Sequence, residues 1–237
     1  MSKALAVDRA IISEIFSSLQ GEGTHAGEKH LFVRFQGCNM RCRYCDERDK
    51  PGAEMTLAQV LLEAERLERA EGPHRFVSLT GGEPLQSVAF LKRLLPELRS
   101  LNHGIYLETN GVLWSALADV LDFCDVIAMD MKPVSVTRDR CVDEDHRRFL
   151  MLAKAKEVFV KIVVSREIDF SEFDREIGII SEIAPEIPVV LQPMSPLWGD
   201  ENAVGLEDLM TVLRARALRR IPDVRMIARL HKLLNIR

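Results

Sequence analysis

Three cysteines fall within eight residues, in the run Gly37-Cys38-Asn39-Met40-Arg41-Cys42-Arg43-Tyr44-Cys45-Asp46-Glu47, with the spacing C-x3-C-x2-C. Thiolates are soft ligands that suit zinc or iron–sulfur clusters. Structural zinc takes four protein ligands, often from two C-x2-C knuckles. A second knuckle is missing, because Cys124 and Cys141 stand alone, 17 residues apart. His25 or His30 could complete a Cys3His zinc site as its fourth ligand. Three thiolates on a four-iron cluster instead leave one iron open to a chelating ligand from outside the chain. Simple burial of the three fits poorly, since Arg41, Arg43 and Asp46 interleave them in a loop-like segment.

A second segment with chemical potential is Thr80-Gly81-Gly82-Glu83-Pro84, which follows the apolar run Arg75-Phe76-Val77-Ser78-Leu79. Two glycines permit close backbone approach, and Glu83 can accept from a ligand ammonium. Further polar residues recur near the ends of apolar runs. Residues i and i+2 of a strand share a face. Arg34 thus pairs with Gln36, Ser78 with Thr80, Glu108 with Asn110 and Asp130 with Lys132, while Lys161 lies in FVKIVV and Gln192 ends VVLQ. Buried parallel strands ordinarily read as unbroken Val, Ile and Leu. Polar groups concentrated toward the C-terminal ends of so many strands predict a polar cavity at one mouth of a sheet, where parallel barrels build their active sites.

The elements that must carry these groups alternate. Strands are expected near 11–16, 30–36, 75–80, 104–110, 125–132, 157–164 and 187–193. Leu57, Val60, Leu61, Ala64 and Leu67 mark a helix at i, i+3, i+4 spacing, with Thr56 as its N-cap. Leu85, Val88, Leu91, Leu94, Leu95 and Leu98 mark a second, interrupted by Pro96. Phe170, Phe173, Ile177, Ile180 and Ile183 mark a third, and Leu206, Leu209, Met210 and Leu213 a fourth. Strand–helix–strand repetition implies an α/β fold with a mostly parallel sheet. The helices are too few for a complete eight-fold barrel, which leaves an incomplete TIM-like barrel or an open doubly wound sheet.

At 237 residues the chain is expected to be a single domain, 1–237. Its formal net charge of −4 argues against a mainly electrostatic nucleic-acid binder. The basic stretches Arg214 to Arg220 and Arg225 to Arg237 read as charged helix faces. No apolar run reaches the length of a membrane helix, and the N-terminus lacks a signal-peptide pattern. A cytoplasmic protein without disulfides is the expectation. Cys124, in VLDFCDVI, reads as a core residue and Cys141 as a loop residue.

The cysteine spacing, followed about 35 residues later by the Gly-Gly-Glu-Pro segment, resembles the radical S-adenosylmethionine (SAM) superfamily. The resemblance implies an incomplete β/α barrel and a [4Fe-4S] cluster held by Cys38, Cys42 and Cys45, whose open iron binds SAM. Within that superfamily the chain is similar to the 7-carboxy-7-deazaguanine synthase family over nearly its whole length. The carriers are Glu14-Ile15-Phe16, Leu19-Gln20-Gly21-Glu22-Gly23, Phe32-Val33-Arg34, Gly37-Cys38-Asn39, Glu108-Thr109-Asn110-Gly111, Asp130-Met131-Lys132-Pro133, Leu191-Gln192-Pro193-Met194 and His231-Lys232-Leu233-Leu234. The Leu-Gln-Gly-Glu-Gly segment discriminates best. Outside the resemblance it is a glycine-rich loop with no frame for phosphate binding.

The resemblance implies conversion of 6-carboxy-5,6,7,8-tetrahydropterin to 7-carboxy-7-deazaguanine, on the pathway to the tRNA base queuosine. A deoxyadenosyl radical takes hydrogen from C6, the ring contracts, ammonia leaves, and the hydrogen returns. Leu19, Gln20, Gly21 and Glu22 would line the pterin with Thr80 nearby. Arg34 would pair with a polar edge or carboxylate, and His231 and Arg237 would close the pocket. Tyr44, Cys45, Asp46, Gly82, Glu83, Asp130, Met131, Lys132, Gln192, Pro193, Met194 and Ser195 would hold the cofactor. Asp130 and Lys132 also read as an ordinary ion pair within a strand. A flavodoxin-type reductant and a homodimer are implied as partners, with no direct contact to nucleic acid or membrane.

One position departs from the family. The residue two after the third cysteine is usually Thr or Ser, a hydroxyl ligand to Mg2+, and here it is Glu47. A carboxylate is a competent hard ligand, so Mg2+ at Glu47 is one expectation. A solvated start to the charged run Glu47-Arg48-Asp49-Lys50 is the other. Competing functions are a glycyl-radical activating enzyme, which shares the cysteine motif but acts on a protein, and a zinc-stabilised module without catalysis.

Overall fold

The computed structural model describes residues 8–194 and 205–236. Among them is one nine-stranded sheet. Its strands are β1 (Arg9–Leu19), β2 (Lys29–Phe35), β3 (Ala53–Thr56), β4 (Phe76–Gly81), β5 (Gly104–Thr109), β6 (Val126–Met131), β7 (Glu157–Val164), β8 (Val189–Pro193) and β9 (Val224–Met226). They lie in the order β3-β1-β2-β4-β5-β6-β7-β8-β9. From β2 onward every pairing is parallel, while β1 is antiparallel to both β2 and β3. The parallel part follows chain order without reversal. A doubly wound sheet reverses at a switch point, so the open, incomplete barrel is the architecture. No helix among the described residues is long and apolar enough to cross a membrane.

Alternation sorts the side chains onto two faces. Val77 and Leu79, Ile105 and Leu107, Ile127 and Met129, and Val160 and Ile162 are fully buried in the main apolar core. Helices α1 (Leu57–Glu71), α2 (Val88–Ser100), α3 (Trp114–Val120), α4 (Val134–Thr137), α5 (Asp143–Ala153), α6 (Phe170–Ile183) and α7 (Leu206–Ala217) link the strands, and their apolar residues Val60, Leu94, Leu117, Phe149, Phe173 and Leu213 belong to the same core. The opposite, inner face carries a smaller apolar cluster of Phe76, Tyr106, Val126, Ala128, Phe159 and Val190.

Thr56 caps α1 with Gln59 as a capping box. Pro96 does not end its helix. It lies inside α2, which runs to Ser100. Burial of Phe90, Leu91, Leu94, Leu95 and Leu98 outweighs the roughly 3 kcal/mol an interior proline costs. The periodic pattern also left β3, β9, α3 and α5 without a prediction. The two strands are short and mostly exposed, so alternation has little to act on. Arg214 donates to the Val224 carbonyl at 2.9 Å and Arg216 pairs with Asp174, which places these basic residues of α7 against their own chain. Cys124 is buried and Cys141 exposed, between α4 and α5.

The link between β1 and β2 takes an unusual course, across the inner face to β7. Gln20 Nε2 donates to Glu108 Oε1 at 2.9 Å, Glu22 pairs with Lys161, and His25 Nε2 lies 2.9 Å from Glu157 Oε1. Gly23 lies between the last two. Its φ is +70°, and a Cβ there would stand 2.1 Å from the Phe159 ring. Only glycine meets both demands.

Candidate active site

The cysteine loop joins β2 to β3 and is tied down by its backbone. Arg43 N donates to Thr137 O at 2.9 Å, and Gly37 O accepts from Glu83 N at 2.8 Å. Asn110, just past β5, donates to Asn39 Oδ1 at 2.7 Å and lies 3.6 Å from Cys38 Sγ. Cys42 is buried, and Cys38 and Cys45 reach the surface of a cavity that all three line. Burial pushes the Cys38 and Cys42 thiols up, partly opposed by Met40 N–H at Cys38 and by Lys132 at Cys42. Among the described residues, the three sulfurs do not form a group with all members within 4.8 Å of one another. His25 and His30 take no part, since they face Glu28, Glu157 and Ser78.

The Gly-Gly-Glu segment packs directly under this loop. Gly81 has φ +115°, and a Cβ would fall 2.1 Å from Phe35 O; at Gly82 it would fall 1.9 Å from Gly37 O. Glu83 corrects a sequence expectation. Its carboxylate is buried and accepts from Leu85 N at 3.1 Å, Thr109 Oγ1 at 2.9 Å and Asn110 N at 2.8 Å. It fastens the loop after β4 to the end of β5 and does not line the cavity. Burial lifts its carboxyl to about 7 despite those three donors.

Strand parity assembles the rest. Register sets Arg34 beside Thr80 and Asp130 beside Lys161. Thr80 donates to Glu108 at 2.7 Å. Lys132 Nζ lies 2.8 Å from Asp130 Oδ2, and Lys161 Nζ 3.0 Å from Asp130 Oδ1. Glu22 is held by Lys161 and by Arg229 at 2.9 Å, and Arg229 continues to Asp46 at 3.3 Å. Burial opposes a charge on Glu22, but Lys161 and Arg229 outweigh it and hold the carboxyl well below its ordinary range. Burial likewise opposes a charge on Lys161, which Asp130 and Glu22 outweigh. The result is a charged but internally compensated wall around a cavity of about 340 Å³, within the ordinary range for small-molecule sites, roughly 300–1,000 Å³.

Comparison with known proteins gives this geometry its family. Residues 32–175 match the radical SAM superfamily. A 7-carboxy-7-deazaguanine synthase of Geobacter sulfurreducens is 36% identical, with 95% of this chain and 97% of that protein covered. One from Methanopyrus kandleri is 35% identical over 94% of this chain and 93% of that protein. The chain belongs to the 7-carboxy-7-deazaguanine synthase family of radical SAM enzymes. The crystal structure of QueE from Escherichia coli has the same fold, with a TM-score of 0.63 at 18% identity, 97% of this chain and 99% of that chain being covered.

Most residues that the synthase family implied for the site do meet in one cavity. Leu19, Gln20, Gly21, Glu22, Arg34, Tyr44, Asp46, Thr80, Gly82, Asp130, Lys132, Gln192, Pro193, Met194 and His231 line it with the cysteines. Met131 does not, because it points the other way on β6 and is buried in the helix-side core. Ser195 and Arg237 lie outside the described residues. Gln36 lies past the end of β2, where alternation stops, and donates to Lys50 O instead. Asp130 and Lys132 are both an ion pair and cavity wall. The family resemblance implied no role for Glu108 and Lys161, although strand alternation places both on the polar face. It also implied none for Arg229, in an irregular tail where no periodicity marks it.

Two atoms on this wall fit an absent ligand. Tyr44 Oη and Gln192 Oε1 are buried without a hydrogen-bond partner, a costly state unless a bound molecule completes it. Magnesium fits less well. Glu47 faces the cavity, which overturns the solvated reading, but its Oε1 is already taken by Arg34 and by Lys50 at 2.7 Å. Two cationic side chains on the carboxylate oppose a third cation, and only Oε2 is left open. The charge that Mg2+ would supply is already present.

The tail from β9 covers the mouth. Leu230 N donates to Gly21 O at 2.8 Å, and the short helix α8 (Leu230–Leu233) sets His231 against Gly21. A Cβ at Gly21 would stand 2.0 Å from His231 Nδ1. The His231 ring can swing away, while its Cβ at 3.0 Å asks the tail to give by a few tenths of an ångström. Gly21→Ala is therefore expected to raise KM for the pterin about tenfold while kcat stays within about threefold. Steady-state kinetics checks it, and an equal fall in kcat with KM unchanged would contradict a covering role for His231.

Proposed function

We propose that this synthase forms 7-carboxy-7-deazaguanine from 6-carboxy-5,6,7,8-tetrahydropterin with loss of ammonia. The observation that carries the reading is that Leu19, Gln20, Gly21 and Glu22, from the end of β1 and the link across the inner face, and the three cysteines, from the loop after β2, line one cavity. Cys38, Cys42 and Cys45 would hold the [4Fe-4S] cluster, and Tyr44, Gly82 and Gln192 to Ser195 would seat SAM. When bound, these two supply a hydrogen-abstracting and hydrogen-returning chemistry that no side chain here offers.

The residues of the chain bind, orient and exclude water. Gln20 is fixed by Glu108, and Glu22 by Lys161 and Arg229, so their positions are set before substrate arrives. Such preorganisation keeps reacting atoms within reach. Arg34 offers a planar guanidinium that would meet a substrate carboxylate while keeping its contact with Glu47. His231 and Arg237 would close the pocket. A flavodoxin-type reductant and a homodimer belong to the same proposal. Short edge strand β9 and the exposed apolar residues Met226, Leu233, Leu234 and Ile236 beside it support the dimer.

The test is an anaerobic assay of reconstituted, reduced enzyme with SAM and 6-carboxytetrahydropterin, read by mass spectrometry. 7-Carboxy-7-deazaguanine is the expected product. Deoxyadenosine without it would retain the radical reaction and discard the substrate. Removing Mg2+ with a chelator is expected to change turnover less than about twofold, because Arg34 and Lys50 already neutralise Glu47. A strong Mg2+ requirement would overturn that account and return Glu47 Oε2 to the role of metal ligand.

A further inference from the structure

At the N-terminal end of the parallel strands lies a second polar group that the reaction does not use. His25 and Glu28 belong to the link between β1 and β2, and His30 is the second residue of β2. The register pairs His30 with Phe76, and Arg34 with Thr80. Four residues of strand therefore separate this group from the active-site layer, roughly 13 Å at 3.3 Å per residue. One ligand atom from each of the three residues lies within 4.8 Å of the others, and no other such trio of His, Cys, Asp or Glu occurs among the described residues.

Burial and partners make this more than proximity. His25 is 7% exposed and His30 0%. Their far nitrogens are already engaged. His25 Nε2 lies 2.9 Å from Glu157 Oε1, and His30 Nδ1 lies 2.7 Å from Ser78 Oγ. With the His25 proton on Nε2 toward Glu157, its Nδ1 lone pair is free to ligate. With Ser78 as acceptor from Nδ1, the His30 Nε2 lone pair is free in the same way. Both bare nitrogens turn toward Glu28, with His25 Nδ1 at 3.1 Å from Oε1 and His30 Nε2 at 3.7 Å from Oε2. His25 Nδ1, His30 Nε2 and Glu28 Oε2 are all buried without a hydrogen bond. In that tautomer three acceptors face one another, an arrangement that a cation placed between them satisfies. The other cation nearby is Arg75, exposed and 3.9 Å from Glu28 Oε2, too far for a hydrogen bond. Phe76 and Tyr106 pack edge-on against His25 at 5.5 Å and limit access of bulk water.

We propose that His25, Glu28 and His30 bind a zinc-class divalent cation that closes this end of the barrel. Two imidazoles and one carboxylate are a borderline donor set that suits Zn2+ over Mg2+ or Ca2+. Glu157 and Ser78 orient the ligands from behind, the arrangement common around ligating histidines. A fourth position falls to water. The ion would pin the β1–β2 link, and with it Gln20 and Glu22, to β2, while Glu157 ties His25 to β7.

The experiment uses the full-length cluster-loaded enzyme, with metals counted by mass spectrometry after equilibration against Zn2+ and gel filtration. About one zinc per chain is expected beside an unchanged iron content. Glu28→Gln should lower zinc affinity at least tenfold, and Glu157→Gln about 10–100-fold as a supporting residue, each measured by competition with a chromophoric chelator. Iron content and circular dichroism of both variants show that they fold. Zinc that is absent at micromolar concentrations, or that survives Glu28→Gln undiminished, would overturn the proposal. So would zinc lost together with iron when the three cysteines are changed to alanine in a chain that still folds. Failure of the pterin assay alone would leave this site untouched.

Discussion

Gly82→Ala is expected to lower turnover by about 100-fold or more and to reduce the iron bound per chain. The obstacle is backbone, so rotation of a side chain cannot relieve it. An alanine Cβ would stand 1.9 Å from Gly37 O and 2.5 Å from Gly37 C. That carbonyl also accepts from Glu83 N at 2.8 Å, and the next residue is Cys38. The cysteine loop must therefore move by about 1 Å or more. Displacements of that size cost on the order of 100-fold when reacting groups are held in fixed geometry. The stability loss should be modest, about 1–3 kcal/mol, as for overpacking elsewhere. Iron and sulfide analysis beside a turnover assay checks the expectation. Full iron content with turnover within twofold of the parent would refute it. The contrast with Gly21→Ala is the type of atom met, a peptide carbonyl against a movable imidazole.

Lys161→Met is expected to destabilise the fold by about 1.5–3 kcal/mol, the usual cost of losing a hydrogen bond to a charged group, since both carboxylates keep another cation. Lys161 joins two carboxylates, Glu22 from the β1–β2 link and Asp130 from the neighbouring strand, and its side chain is 12% exposed. Without it Asp130 retains Lys132 and Glu22 retains Arg229, but the tie between the link and β7 is lost. The pH dependence has a definite sign. The Glu22 carboxyl lies below its ordinary 4.5 in the folded protein. Its contribution is therefore complete above pH 4.5 and is lost as pH falls through the folded value. The Lys161 ammonium lies above its ordinary 10.5, so its contribution is complete below pH 10.5 and is lost above. The stability difference between parent and variant should be greatest between these limits and shrink below pH 4.5. Urea unfolding on both sides of pH 4.5 measures it. A deficit under about 1 kcal/mol, typical of an exposed pair, would show that Lys161 is not the tie described.

Much of this was legible in the residues. Strand ends at Thr80, Glu108, Asp130, Lys161 and Gln192 announced a polar mouth, because an i, i+2 alternation forces such residues onto one face whatever the fold around them. The cysteine spacing announced a metal cluster, because three thiolates in one short loop have few other uses. Alternation failed where regular structure ended. Gln36 lies past its strand and leaves the set, and Arg229 lies in a tail with no period.

Some roles turned on partners that lie far away in the chain. Glu83 has the residue type of a ligand, yet three donors from Leu85, Thr109 and Asn110 occupy it. Glu47 has the type of a metal ligand, yet Arg34 and Lys50 meet its charge. His25 and His30 would serve zinc beside the cysteines as readily on paper, but the chain sets them at the other end of the strands.

By itself, then, the sequence determined the strand faces, the helical core stripes and the ligand chemistry, since these depend on local period and residue type. The tertiary structure alone decided which charges neutralise one another and which lone pairs remain bare. Those outcomes rest on the crossing of the β1–β2 link to β7 and on the tail's return to Gly21. Contacts between residues more than a hundred positions apart leave no trace in local pattern.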